Sequence, residues 1–246
     1  MQITPTPELL LSAINTLVLL IGVPFAIHTL RTGNKQRRAD SVAQLLTEYR
    51  DGDLQSKARV VAERFTVFTG PTEERLEEFI AFGRHSLKPA HLEAARVVVN
   101  KLNDLGVLME RGIVKEEHFF RHVHPQIVEL AARLDPLILL VSAGRGSRWG
   151  FRVRRMGTAA ALFYRMNPIY NDTEFRQDGK VLIEIGRPPL RAQLGVLFSG
   201  YLRKAKVTRR HDKADQAIAA QVLARHPARD IAFLRPLVPP DAVVSR

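Results

Sequence analysis

Residues 9–30 form a run of 22 without a formal charge, closed by Glu8 before it and Arg31 after it. As a helix rising 1.5 Å per residue it reaches about 33 Å, against a hydrocarbon core of roughly 30 Å. Thirteen of its residues are Leu, Ile, Val or Phe, which together favour insertion by roughly 4 to 8 kcal/mol. Asn15, Pro24 and His28 reduce that margin. A cleaved signal peptide would need a basic start and a small-residue cleavage site. Residues 1–8 hold no Lys or Arg, and the run ends Ala26-Ile27-His28-Thr29-Leu30. The expectation is a single transmembrane helix.

Lys and Arg beside a membrane helix are retained on the cytoplasmic side. They are absent upstream, and Arg31, Lys35, Arg37 and Arg38 follow directly downstream. This pattern predicts a single-pass protein of the cell inner membrane, with residues 1–8 outside and everything from Arg31 onward in the cytoplasm. Residues 127–143 are apolar in places, but Glu129, Arg133 and Asp135 interrupt them, so no second span is expected.

The charge is unevenly distributed. Residues 1–144 hold 17 Lys and Arg against 17 Asp and Glu, whereas residues 145–246 hold 20 against 8, so the whole net charge of +12 lies in the second part. Two glycines and a serine at Gly144-Arg145-Gly146-Ser147 also interrupt any helical period. A boundary is therefore expected there. Cysteine is absent, which excludes disulfides, thiolate catalysis and cysteine-ligated zinc.

Between the span and that boundary the apolar period is helical throughout. Val42, Leu45, Leu46 and Tyr49 share one face; Leu54, Ala58, Val61, Phe65 and Phe68 share a second, predicted to run to Gly70-Pro71. Leu76, Phe79, Ile80 and Gly83 carry a third helix, with Glu73 and Glu74 where the helix dipole favours acids. A fourth starts near Pro89 and follows Leu92, Ala95, Val99, Leu102, Gly106 and Met109, with Gly112 as its left-handed cap. The fifth, from near Lys115, is expected to bend or restart at Pro125 and Pro136. Amphipathic helices on short connections bury their stripes against one another, which predicts an all-α bundle over residues 31–143.

Beyond the boundary, residues 144–235 read as basic and mostly helical, ahead of a flexible tail at 236–246. Helices are expected over 159–166, 190–207 and 214–225, with turns at Asn167-Pro168 and Asn171-Asp172. At most one short strand is expected, near 181–185, with no evident partner.

The span, the basic helix after it, and the segments Ala95-Arg96-Val97-Val98-Val99-Asn100-Lys101-Leu102-Asn103-Asp104-Leu105-Gly106-Val107-Leu108 and Arg111-Gly112-Ile113-Val114-Lys115-Glu116-Glu117 resemble bacterial membrane-anchored proteins grouped as domain of unknown function family 4760. The likeness covers about residues 9–143. It implies a helical, anchored protein and carries no catalytic residues, because that family has no assigned activity.

Catalytic patterns are scarce. His118 and His122 stand at i and i+4, as two zinc ligands on one helix face must, but a third ligand and the glutamate of a zincin helix are missing. Glu73, Glu74, Glu77 and Glu78 read as a solvated helix face. The glycines of residues 144–150 have neither a preceding strand nor a following Gly-Lys-Ser/Thr, so they read as a connection and not a phosphate loop. No metal, cofactor or small-molecule substrate is implied, and the balance is against an enzyme.

Anionic lipids attract each nearby Lys or Arg by about 1 kcal/mol. The residues expected to meet such lipid, or an acidic protein partner, are Arg31, Lys35, Arg37, Arg38, Arg152, Arg154, Arg155, Arg203, Lys204, Lys206, Arg209 and Arg210. A tethered nucleic-acid binder is the rival reading, since clustered cations also bind phosphates. It is not favoured, because Trp149, Phe151, Phe163 and Tyr164 fall where core packing would use them. A hydrolase with an unrecognised site is the third reading. The chain is expected to serve as an interaction or scaffold module.

Overall fold

Apolar residues at helical spacing, closed by Gly or Pro, set most of the elements. The computed structural model describes residues 52–167, 169–170, 174–184, 186–205 and 209–238, without the side chains of His118, Phe198, Ala205, Arg209 and Arg210. All of these fall within the unit Glu48–Arg246. In chain order they form α1 (Gly52–Arg64), α2 (Thr72–Ser86), α3 (Pro89–Glu110), α4 (Glu116–Arg145), α5 (Phe151–Met166), β1 (Phe175–Gln177), β2 (Lys180–Ile183), α6 (Leu190–Ser199), α7 (Tyr201–Ala205), α8 (Arg209–Arg225) and a 3-10 turn, η1 (Ala232–Leu234). The span at 9–30, the helix through Val42 and Tyr49, Pro168, Asn171, Asp172 and the tail from residue 239 lie outside the described residues. Among the described residues the chain is mostly helical, and no helix is long and apolar enough to cross a membrane.

The bundle is built around α4. Leu134 and residues 137–141 of this helix are completely buried, and α5, α8, α1 and α2 pack around it. A helix enclosed in this way can be apolar on every side. It runs unbroken through both Pro125 and Pro136, where a bend or restart was expected. Each proline removes a rung of the hydrogen-bond ladder, and burial of the turns on either side of Pro136 offsets the loss.

Four other elements depart from the spacing. α1 ends at Arg64, not near Gly70: Phe65, Val67 and Phe68 follow without regular secondary structure and are buried. Their carbonyls do not enter a helix ladder but accept from side chains, Phe65 O from Arg133 Nη1 and Val67 O from Lys180 Nζ at 2.5 Å. Phe65 and Phe68 pack on Phe79 of α2, with ring centroids 6.4 and 5.8 Å apart.

The strand expected alone near 181–185 is Lys180–Ile183, and it pairs antiparallel with Phe175–Gln177. Asp178 and Gly179, at φ 52° and 74°, form the two-residue loop; Asp-Gly suits a turn whose central residues both need positive φ.

The single helix expected over 190–207 breaks at Gly200, where φ is 78° and ψ 165°. A Cβ there would stand 3.0 Å from Glu116 Oε2, the oxygen that accepts from the backbone N–H of Leu202.

At the expected boundary, Gly146 (φ 60°) caps α4 and the chain turns directly into α5. α4 and α5 then share the most extensive contact of any pair of elements. The composition break is thus a turn inside one packed unit and not a division between two. The close approach is set by small residues: a Cβ added to Gly157 of α5 would fall 2.4 Å from the Cβ of Ala131.

Candidate functional site

The sequence-predicted cations separate into those turned inwards and those turned outwards. Arg154 sits on the face of α5 that meets α4 and α8. Its guanidinium donates to Asp135 Oδ1 at 2.5 Å, Asp212 Oδ1 at 2.9 Å and Asp215 Oδ2 at 2.6 Å. Asp135 also accepts from Arg75 of α2 at 2.7 Å, and Asp215 accepts from Thr72 at 2.8 Å. Burial works against the Arg154 charge, but Asp135 and Asp215 outweigh it and hold the pKa above the ordinary arginine value. For Asp212 the balance is reversed. Its burial raises the pKa despite Arg154, Arg155 and Arg148.

Arg155 is buried as well. It lies between Glu110, at 3.4 Å, and Asp212, at 4.0 Å. Arg152, on the rim, donates to Glu110 Oε2 at 3.3 Å and to Asn103 Oδ1 at 3.5 Å. Arg154 and Arg155, expected at a lipid or acidic partner, are here paired with carboxylates of the chain itself: helical spacing turns them towards α3, α4 and α8.

The Asn-containing segment that carries the family resemblance has a structural role here. Asn100 Oδ1 accepts from Trp149 Nε1 at 3.0 Å, Asn103 and Glu110 receive Arg152, and Gly106 makes room for Met156 Sδ, which a Cβ would approach to 3.1 Å. Asn100, Asn103, Gly106 and Glu110 thus form the seat on α3 for the start of α5. Of the glutamates of α2 expected on a solvated face, Glu73, Glu74 and Glu78 are exposed; at that surface Glu73 accepts from Arg225 at 2.6 Å, and Glu77 pairs with His226. Arg145 donates to Leu237 O at 2.5 Å and Arg165 to Gly186 O at 3.2 Å.

Of the expected cations whose side chains are described, those not drawn into the contacts of α5, Arg203 and Lys204, lie on α7. Arg187, Arg191 and Arg203 are exposed, and none of them makes an ion pair with the described residues. Lys204 is partly covered, its stem over Gly195 of α6. Of the other expected residues, Arg31, Lys35, Arg37, Arg38 and Lys206 lie outside the described residues, as do the side chains of Arg209 and Arg210. Sequence reasoning missed Arg187 and Arg191; the signal was available, since both precede an uncharged segment, residues 192–202, that Arg203 closes.

His122 is exposed, and no group of three His, Asp or Glu capable of holding a metal occurs among the described residues. His124 is buried, its Nδ1 at 2.9 Å from Phe120 O and its ring 4.6 Å from that of Tyr170. Burial lowers its pKa, so at neutral pH it is an uncharged core ring whose Nδ1–H donates to the carbonyl. A recess of about 560 Å³ is lined by Gln55, Ser56, Arg59, Gln126 and Glu129 among others. Ser56 there donates to Asp53 O, and no histidine lines the recess to act as a base. No family model, no curated protein and no solved structure matches the chain.

Proposed function

We propose that the chain is a single-pass, membrane-anchored interaction or scaffold protein, with residues 9–30 in the bilayer and a helical cytoplasmic unit that meets anionic lipid through its basic carboxy-terminal region. The observation that carries the reading is the division among the cations. Arg154 and Arg155 are neutralised inside the bundle, whereas Arg187, Arg191 and Arg203 are exposed and make no ion pair among the described residues. At about 1 kcal/mol each near an anionic surface, three such residues add roughly 3 kcal/mol to an anchor that already holds the protein at the membrane. The cations expected from Arg31 to Arg38 would extend the same surface. The resemblance to domain of unknown function family 4760 over residues 9–143 agrees with an anchored helical protein and belongs to this proposal.

Nucleic acid fits the outward surface less well. Phe151, Phe163 and Tyr164 are buried and so are not available for stacking on bases, which leaves Trp149, the single tryptophan, half-buried with its N–H on Asn100. The test is flotation of the full chain with phosphatidylcholine–phosphatidylglycerol vesicles beside a binding assay on duplex DNA and RNA, all at physiological salt. The chain is expected to float and to leave the nucleic acids unshifted. A chain that stays at the bottom of the gradient, or that binds nucleic acid under these conditions, contradicts the reading.

A further inference from the structure

We infer that α6 is an interfacial helix, lying in the headgroup region of an anionic leaflet with Leu190, Leu194 and Leu197 turned into the acyl chains. Of the five large apolar side chains that the described residues leave exposed, three are on this one ten-residue helix: Leu190 at 71%, Leu194 at 46% and Leu197 at 76%. Their spacing of i, i+4 and i+7 at 3.6 residues per turn confines them to one narrow stripe. The opposite side of the helix is also apolar, with Val196 buried and Ala192 half-buried. Thus one face of α6 is attached to the protein while the other is open. Of the elements described, α7 packs against it most closely.

Arg191 is the one charged residue of α6, and it is exposed beside the stripe; Arg187 precedes the helix and Arg203 follows in α7. An apolar stripe with an exposed cation beside it, Arg191, and further exposed cations before and after the helix is the pattern of a helix that lies in a membrane surface, burying its apolar side at the acyl boundary while cations meet anionic headgroups. A second copy of the chain fits less well. A helix of ten residues, about 15 Å long and about 10 Å wide, offers a face of roughly 150 Å², far short of the roughly 800 Å² per partner of a stable interface, and pairing it with itself would bring Arg191 towards its own counterpart. The inference rests on the membrane reading above and adds a second, apolar attachment to it.

Because the chain has no cysteine, one introduced cysteine gives a single label site. The full-length Leu197→Cys variant carries an environment-sensitive fluorophore and is reconstituted in phosphatidylcholine–phosphatidylglycerol vesicles doped with a lipid bearing a nitroxide high on its acyl chain; Glu78→Cys, exposed on α2, is the control. The probe at 197 is expected to emit to the blue and to lose most of its intensity to the nitroxide lipid, less so when phosphatidylglycerol is omitted, while the probe at 78 is unaffected. Floating vesicles with a water-like, unquenched probe at 197 overturn the inference and leave the anchor standing. So does blue emission without nitroxide quenching, which means that protein covers the stripe, either a second copy or the chain's own amino-terminal segment. Equal quenching at 197 and 78 also overturns it, and equal quenching with and without phosphatidylglycerol removes the anionic headgroup from it. Failure of the chain to float contradicts the anchor itself.

Discussion

Arg154 Nε donates to Asp135 Oδ1 at 2.5 Å, joining the half of the chain that is neutral overall to the half that carries the whole net charge. Asp135 also holds Arg75, so one carboxylate ties α2 to α5 across α4. Asp135 and Arg154 are part-buried, and a hydrogen bond between charged groups contributes about 1.5 to 3 kcal/mol. Asp135→Asn is therefore expected to lower unfolding free energy by about 2 kcal/mol, measured as a shift of the urea midpoint of the full chain.

Asp212 belongs to the same network but answers differently. Its folded pKa is raised above the unfolded value, so between the two the native state binds more protons. The stability this carboxyl contributes is complete below the unfolded pKa, near 3.9, and is lost as pH rises through the folded one. Asp212→Asn stays neutral and keeps an acceptor for Arg154. It is expected to cost about 1 kcal/mol or less, and to gain on the wild type as pH rises through that window in parallel urea titrations. A wild type that gains relative to the variant over the same interval would show the opposite shift.

His124 has the reverse sign. Its folded pKa lies below the unfolded value of about 6.5, so the unfolded chain binds more protons between the two. The protein should lose stability on acidification from about pH 6.5 downward. In His124→Phe that part of the loss should disappear, as followed by melting temperature against pH.

Gly157→Ala tests the contact between α4 and α5. In an open helix the change gains about 1 kcal/mol. Here the new Cβ meets that of Ala131 at 2.4 Å, and the expected result is a loss of about 1 to 3 kcal/mol. Ala131→Gly in the same chain should restore most of it, which a double-mutant cycle of denaturation midpoints would show.

The face of α6 proposed to enter lipid should matter little to the fold. Leu194→Ser is expected to change stability by no more than about 0.5 kcal/mol, whereas Val196→Ser, on the buried side, should cost about 2 kcal/mol. Chemical denaturation of both variants separates the two faces.

The apolar periods were legible because burial repeats with the helix: Leu76, Phe79, Ile80 and Gly83 of α2, and Leu92, Ala95, Val99, Leu102, Gly106 and Met109 of α3, are all buried. Gly112 takes the left-handed conformation expected of it, with φ 68°. The ion pairs were not legible. Arg154 finds Asp212 and Asp215 at sequence separations of 58 and 61, and composition records only that positive charge is in excess, not where each charge is answered. For the same reason Arg154 and Arg155 looked like surface. The partner of β2 was written in Asp178-Gly179, a hairpin signal masked by the polar, half-exposed strand before it. The break at Gly200 has its local signal in the glycine itself, but the contact with Glu116 beside it is far away in the chain and no local pattern announces that.

The account depends above all on residues 9–30 residing in lipid. Extraction of native membranes with alkaline carbonate, which strips proteins held by charge alone, tests this most directly. The full chain is expected to remain in the membrane pellet; its appearance in the supernatant would contradict the anchor and the role built on it.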